Sequence, residues 1–356
     1  FKAEAMASGV VPQISAIFGE CGGGLAVLSE MSDFVFMSKD AKLFVTAPNA
    51  IAGNNEGKLD TASASFMATS GAVDYVGEDE VDVLNKIRDL VDVLPLNNED
   101  ECVEMCSDDL NRPSALYDAE IADPALAMAD LSDNGSFVEI KADYAKEMVT
   151  GFIKLNGATV GAIGNRTALK GEKATEKFES VLTSDACRKV ASFVKYCDSF
   201  GIPVLTLSNV TGYSSCSCNA KSIATAAAQM TFAFADATVP KINLVTGKSY
   251  GTAYAAFNSK SLGADMEFAL EGAEIGAMDA KLAAQIVYAG EVNTEEALNA
   301  KAEEYRKEAN SVENAARRGY VDSVISATEA RAQIIYAFEM LSTKREIRPS
   351  KKHGTV

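Results

Sequence analysis

Two stretches built from glycine and small residues offer a chemistry that few side chains of this sequence could supply. Residues 237–256, Ala-Thr-Val-Pro-Lys-Ile-Asn-Leu-Val-Thr-Gly-Lys-Ser-Tyr-Gly-Thr-Ala-Tyr-Ala-Ala, read as a buried strand, Lys241 to Thr246, turning through Gly247 and Gly251 into an alanine-rich helix. At such a handover the first N–H groups of the helix have no carbonyl four residues back to bond. Aimed outward together, they outline an oxyanion or anion site, although an ordinary strand–turn–helix corner carries the same local pattern. Residues 11–37, from Val11-Pro12-Gln13-Ile14 through Gly19-Glu20-Cys21-Gly22-Gly23-Gly24 to Phe34-Val35-Phe36-Met37, repeat the plan of proline, apolar strand, glycine turn, small-residue helix and second strand. Two copies of one device imply two similar domains, each presenting a pair of backbone amides.

Side-chain catalysis has little to work with. The chain holds a single histidine, His353, close to its C-terminal end, so Ser–His–Asp or Cys–His chemistry would have to recruit that residue. Cys216-x-Cys218 and Cys102-x3-Cys106 have the spacing of half a metal site, but no partner cluster accompanies them, and no metal is expected. Seven cysteines, an odd number in irregular spacing, suit a reducing compartment better than a disulfide framework.

Read in order, the motifs resemble those of the carboxyltransferase subunits of biotin-dependent acyl-CoA carboxylases and decarboxylases. Pro12-Gln13-Ile14 and Gly19-Glu20-Cys21-Gly22-Gly23-Gly24 are similar to that family's P-Q-I and G-x-C-A-G-G. Ala237-Thr238-Val239-Pro240-Lys241 with Tyr250-Gly251-Thr252-Ala253-Tyr254 resembles A-T-V-P-K and A-Y-G-G-A-Y. Asp133-Asn134-Gly135-Ser136-Phe137-Val138-Glu139, Cys197-Asp198-Ser199-Phe200-Gly201-Ile202-Pro203, Glu274-Ile275-Gly276-Ala277-Met278, Gly319-Tyr320-Val321-Asp322 with Arg331, and Lys351-Lys352-His353-Gly354 extend the match over most of the chain.

The resemblance implies an α/β fold of two crotonase-like ββα spiral domains, the first incomplete. Residues 1–110 would be the C-terminal part of the N-domain with its linker, and 111–356 the C-domain. It implies carboxyl transfer between carboxybiotin, on a separate carrier protein, and the α-carbon of a short-chain acyl-CoA of propionyl-CoA or methylmalonyl-CoA type. By motif position, the oxyanion holes would be the amides of Gly23 and Gly24 in the N-domain and of Thr252 and Ala253 in the C-domain. Gly22, Gly251, Tyr254 and Ala255 would contact substrate, with Ala255 beside the acyl group. The partners implied are a biotin carboxyl carrier protein, a biotin carboxylase or membrane decarboxylase subunit, and further copies of the chain, from dimer to hexamer. A cytoplasmic location follows, with membrane association only through a partner.

Departures from the pattern keep other readings open. The chain begins partway into the family's N-domain. Residues 53–70 lack its E-E-L-G-G, Thr252 stands for a glycine, and Ser214 to Cys218 replaces a P-G and acidic run. The alternatives are the alpha subunit of a sodium-pumping decarboxylase, an inactive assembly subunit, or a hydratase or isomerase using Glu20.

The elements needed to hold the amides are visible in outline. Strands are expected at Phe34 to Met37, Lys42 to Ala47, Phe137–Ile140, Ala158–Gly164, Val204–Ser208 and Lys241–Val245, and helices at Pro124–Leu131, Thr183–Phe200, Ala220–Ala235 and Ala253–Asn258. Residues 78–92 suggest an acidic-started helix with Val81, Leu84, Ile87 and Val91 on its apolar face. The second strand ends in the Ala47-Pro48-Asn49 turn, and Pro95 to Pro124, polar, acidic and aperiodic, reads as the interdomain linker. A charged helix is expected over 293–318 and a last one over Ala327–Leu341, packed on a partner subunit. The 356 residues suit two domains, 47% are apolar, and 33 basic against 50 acidic residues give −17. That charge disfavours nucleic acid and anionic membrane as partners. A CoA polyphosphate can still bind through local lysines and helix N-termini.

Overall fold

The computed structural model describes residues 1–47, 60–100, 103–170, 175–290, 294–351 and 353–356. The Pro48–Asn49 turn, residues 53–59 of the 53–70 segment, Cys102 and Lys352 lie outside them.

A seven-stranded sheet forms the centre of the C-half. Its order is Ser323–Ile325, Met266–Leu270, Lys241–Val245, Val204–Ser208, Ala158–Asn165, Met148–Leu155 and Phe137–Ile140. The first five strands run parallel, and the last two complete an antiparallel meander with Ala158–Asn165. Parallel strands need both faces covered, which explains why Val204–Ser208 and Lys241–Val245 are buried at every residue. Ser184–Ser199 and Ile223–Asp236 cover one face, burying Val190, Val194, Met230 and Phe234 with Phe152 and Ile163. Pro124–Leu131 and Ala330–Leu341 cover the other, burying Met128, Leu131 and Ile334 with Ile153, Ile242 and Leu244.

The N-half has a three-stranded parallel sheet, Ile14–Ile17, Phe34–Ser38 and Tyr75–Gly77, with Phe34–Ser38 in the middle. It shares a core with the C-half. The Phe34 ring meets Tyr196 at 4.8 Å and Phe152 at 6.2 Å between centroids. Lys141 Nζ donates to the Gly71 carbonyl at 2.5 Å and lies 3.4 Å from the buried Asp74 carboxylate.

Several expectations need correction. The helix Glu80–Val93 forms, capped by Asp79, but buries Val83, Leu90 and Val93, while Val81, Leu84 and Val91 are exposed. Two apolar stripes share the 3.6-residue period, and packing against the N-half sheet selects the other one. The stretch 95–124 is no free linker. It contains a short helix, Asp118–Ala122, and is stitched to the C-half by the fully buried Arg331. That guanidinium donates to the carbonyls of Asp109 (2.7 Å) and Leu131 (3.0 Å) and to the carboxylates of Asp133 (2.5 Å) and Asp108 (3.3 Å). The helix expected over 293–318, whose first residue is not described, breaks into Glu295–Tyr305, a π turn Arg306–Asn310 and Val312–Arg317. Asn310 turns inward there to donate to the Met278 carbonyl, and Ser311 caps the last segment. Lys42–Phe44 ends before Ala47. Cys216 and Cys218 form a disulfide, which the reading of the cysteines as suiting a reducing compartment did not anticipate.

Candidate functional site

The two elbows have one construction. In the N-half, strand Ile14–Ile17 leads to a short strand Glu20–Gly22 and then to helix Gly24–Ser29; in the C-half, Lys241–Val245 leads to Lys248–Tyr250 and helix Gly251–Ala256. Each short strand pairs in parallel with a second short one, Lys42–Phe44 or Glu274–Gly276, which itself follows a strand of the main sheet. The last residue of each short strand is followed by a glycine in left-handed backbone, Gly23 at φ 63° and Gly251 at φ 59°. A side chain at Gly251 would also bring its Cβ within 2.9 Å of the Ala277 carbonyl, so glycine is needed there on two counts.

The expected amides, Gly23 and Gly24 on one elbow and Thr252 and Ala253 on the other, can be compared in this register. Gly23 corresponds to Gly251, Gly24 to Thr252 and Leu25 to Ala253. The Gly23 N–H is spent on the Phe44 carbonyl at 3.0 Å and has nothing left for an oxyanion. The N–H groups of Gly24 and Leu25 on one elbow, and of Thr252 and Ala253 on the other, have no hydrogen-bond partner among the described residues, and neither helix has a side-chain cap. They are the orphan donors of a first turn. Thr252 has no positive φ, so its side chain costs the backbone no strain.

Gly251, Tyr254 and Ala255 come together on the wall of a cavity of about 340 Å³. Its other walls come from Ser259, Lys260 and Ser261, from Gly276 and Ala277, and from the broken helix and its sequel, including Tyr305, Asn310, Asn314, Arg318 and Tyr320. Thr252 and Ala253 belong to the same helical turn without lining that cavity, Thr252 being exposed and Ala253 buried. Gly22, Gly23 and Gly24 lie on the other elbow, next to an exposed Leu25. Sequence reasoning missed the cavity's far wall. Its only signal was Gly319-Tyr320-Val321-Asp322, which was legible as a motif but not as a wall.

The C-half elbow is braced on every side. Tyr250 N–H donates to the Val210 carbonyl (2.9 Å), and its buried hydroxyl donates to Glu274 Oε2 (2.5 Å). Tyr213 Oη donates to the Thr252 carbonyl at 3.3 Å. Tyr254 Oη donates to Glu267 Oε1 at 2.7 Å, and burial together with that carboxylate pushes the phenol's pKa far up, so it stays a donor. The Arg318 guanidinium lines the cavity with no ion-pair partner among the described residues. Glu20 opens the short strand of the N-half elbow and is exposed. No group of three or more His, Cys, Asp or Glu able to hold a metal is found among the described residues.

Paired elbows with open amides on stacked ββα units define an α/β fold of crotonase type. The whole length, residues 1–356, matches the carboxyl transferase domain family, and the chain belongs to it as a carboxyltransferase of the biotin-dependent carboxylases and decarboxylases. It is 35% identical over 370 residues to the propionyl-CoA carboxylase beta chain of Roseobacter denitrificans, covering 100% of this chain and 71% of that one. It is 36% identical over 375 residues to the methylmalonyl-CoA decarboxylase subunit alpha of Propionigenium modestum, with the same coverages. The fold matches the crystal structure of the transcarboxylase 12S hexamer with hydrolysed methylmalonyl-coenzyme A bound at a TM-score of 0.91, with 34% identity over 99% of this chain and 70% of that one.

Proposed function

We propose that the chain moves a carboxyl group between biotin borne on a separate carrier protein and the α-carbon of a short-chain acyl-CoA, with one oxyanion held at each elbow. Gly24 and Leu25 N–H would face one developing charge, Thr252 and Ala253 N–H the other. The observation that carries this reading is the pair of matching elbows whose first-turn amides are unspent. Such donors need no change of protonation, and each is worth about 100- to 1000-fold in rate. The biotin ring supplies the carboxyl group or receives it; its ureido oxygen becomes the more negative as the group leaves. A cavity of about 340 Å³ beside Ala255 falls in the size range of small-ligand sites and fits a ring of that size or an acyl end. Tyr254 and Ala255 would orient what enters it, and Arg318 would favour an anionic group there.

Residues 1–110 and 111–356 are proposed as the two functional units, each contributing one elbow. Since every residue of the cavity wall lies between Gly251 and Tyr320, the N-half contribution has to come from another surface, and a second copy of the chain would supply it. The naming of one relative as a carboxylase beta chain and of another as a decarboxylase alpha subunit supports a multi-subunit complex with a carrier protein. Transfer of label from carboxyl-labelled methylmalonyl-CoA to free biotin tests the proposal. Label appearing on biotin, dependent on this chain, is the expected result. Hydration or isomerisation of an enoyl-CoA without label transfer would refute it.

A further inference from the structure

Glu267 is an ionisable side chain at the heart of the C-half for which carboxyl transfer has no direct use. It lies on strand Met266–Leu270, opposite Asn243 of the strand that feeds the elbow, and is fully buried. Among the described residues it makes no salt bridge. The cation nearest in sequence, Lys260, sends its ammonium to Asp322 instead. A buried carboxylate without a counter-ion is costly unless donors surround it. Here there are three. Tyr254 Oη reaches Oε1 at 2.7 Å, Asn243 Nδ2 reaches the same oxygen at 3.1 Å, and the Lys260 N–H reaches Oε2 at 2.9 Å. These donors come from the elbow helix, from the strand before it and from the turn after it.

Two of these three places, the elbow helix and the turn after it, line the cavity. Tyr254 and Lys260 are on its wall, while Glu267 itself is behind it. Asp322 closes the arrangement from the far side, accepting the Glu267 N–H at 2.8 Å and donating its own N–H to the Glu267 carbonyl at 2.8 Å, so the carboxylate's strand cannot drift from the Tyr320 segment. An apolar residue in this position could fill the space. It could not hold the Tyr254 hydroxyl, and Tyr254 sits one residue beyond the Ala253 amide.

We propose that Glu267 is a positioning residue for the carboxyl-transfer site: through Tyr254 and the Lys260 backbone it fixes the elbow helix and the cavity wall against each other. The inference rests on the carboxyl-transfer reading but concerns a residue that touches no reactant. It gives the strand Met266–Leu270 a catalytic consequence beyond its place in the sheet.

The test is a double-mutant cycle with Glu267→Met, which removes the acceptor, Tyr254→Phe and the double variant, in the assembled complex. Glu267→Gln, whose amide oxygen can still accept from Tyr254, is the conservative rescue. Label transfer from methylmalonyl-CoA to biotin gives kcat and KM, and equilibrium binding of propionyl-CoA and of biotin is measured on the same proteins. If Glu267 acts through Tyr254, each single variant of the cycle lowers kcat/KM by at least about tenfold, and the double variant falls no more than about threefold below the worse single one. A residue with a merely structural role would lower thermal stability and leave kcat and KM of the folded enzyme within twofold, which would overturn the proposal. Losses that multiply in the double variant would overturn it as well. Tyr254→Phe keeps the ring and removes only the hydroxyl. Should Glu267→Met fail to fold, unchanged kcat, KM and ligand affinity in Tyr254→Phe would suffice to refute the proposal. A wild-type chain that transfers no label would count against the carboxyl-transfer reading, and the binding cycle would still report whether the two residues are coupled.

Discussion

Glu267 shows how far one residue can depart from its ordinary chemistry when a fold needs it. Burial raises its pKa from 4.5 to about 7, against the lowering influence of Tyr254, Lys260 N–H and Asn243 and with the nearby Asp322 carboxylate adding to the rise. The folded protein therefore holds a proton that the unfolded chain gives up from pH 4.5 onward. Stability from this group is fully present below pH 4.5 and is lost as pH rises through about 7. The displacement corresponds to about 3 kcal/mol. Denaturant unfolding of wild type and Glu267→Gln at pH 4.5 and pH 8 should show the variant gaining about 3 kcal/mol relative to wild type at the higher pH. A difference that does not change with pH would mean that Glu267 is ionised throughout. Ala255 gives a second prediction at this scale. Small and on the cavity wall, it should admit short acyl chains with less than about 200-fold discrimination, since a methylene is worth only about 1–3 kcal/mol. Ala255→Phe should depress propionyl-CoA turnover relative to acetyl-CoA, and an unchanged ratio would remove Ala255 from the acyl site. Single residues were unevenly legible in the sequence. Gly251, Tyr254 and Ala255 could be picked out because the motif around them is distinctive, whereas Glu267 could not, because its three donors are distant in the chain or local only after folding.

At the scale of elements, what reads well is what local physics decides. Ser184–Ser199 has an N-cap threonine and a continuous apolar stripe, and Val204–Ser208 is a short uncharged run of Val, Leu, Thr and Ser just after Pro203, so both were visible with nearly their true bounds. What reads poorly is decided by partners. The stripe buried on Glu80–Val93, the break at Asn310 and the anchoring of the 95–124 stretch all depend on contacts from elsewhere in the chain. Met148–Leu155, which is central to the meander, went unread because its neighbours in the sheet and not its own alternation define it. Arg331 is the clearest case. In the sequence it only extended the family match, and the structure makes it a strut that holds the segment 108–133 to helix Ala330–Leu341. Removing it leaves Asp133 buried without its cation, so Arg331→Ala should cost about 3–5 kcal/mol in chemical denaturation. A loss below about 1 kcal/mol would show that the strut is not holding.

For the molecule as a whole, the sequence disclosed two repeats of an elbow, and the structure confirms the repeat in strand order, short-strand pairing and the left-handed glycine. The relation between the two elbows was not legible. Motifs record local geometry, and the cavity at one elbow draws its walls from that half alone. Completion by a second copy predicts a dimer to hexamer by light scattering at working concentration, in keeping with the hexamer of the transcarboxylase 12S relative. A stable monomer that transfers carboxyl groups would contradict it. No helix among the described residues is long and apolar enough to cross a membrane.

The central claim is that backbone N–H groups, and no side chain, hold the charge at the C-half elbow. It is tested most directly at Thr252, where proline deletes the N–H but suits the first turn of a helix and follows a glycine that has no Cβ to obstruct it. Label transfer from methylmalonyl-CoA to biotin should fall about 100- to 1000-fold in folded Thr252→Pro and stay within about tenfold of wild type in Thr252→Gly, which keeps the amide. Wild-type transfer by a folded Thr252→Pro enzyme would contradict the account.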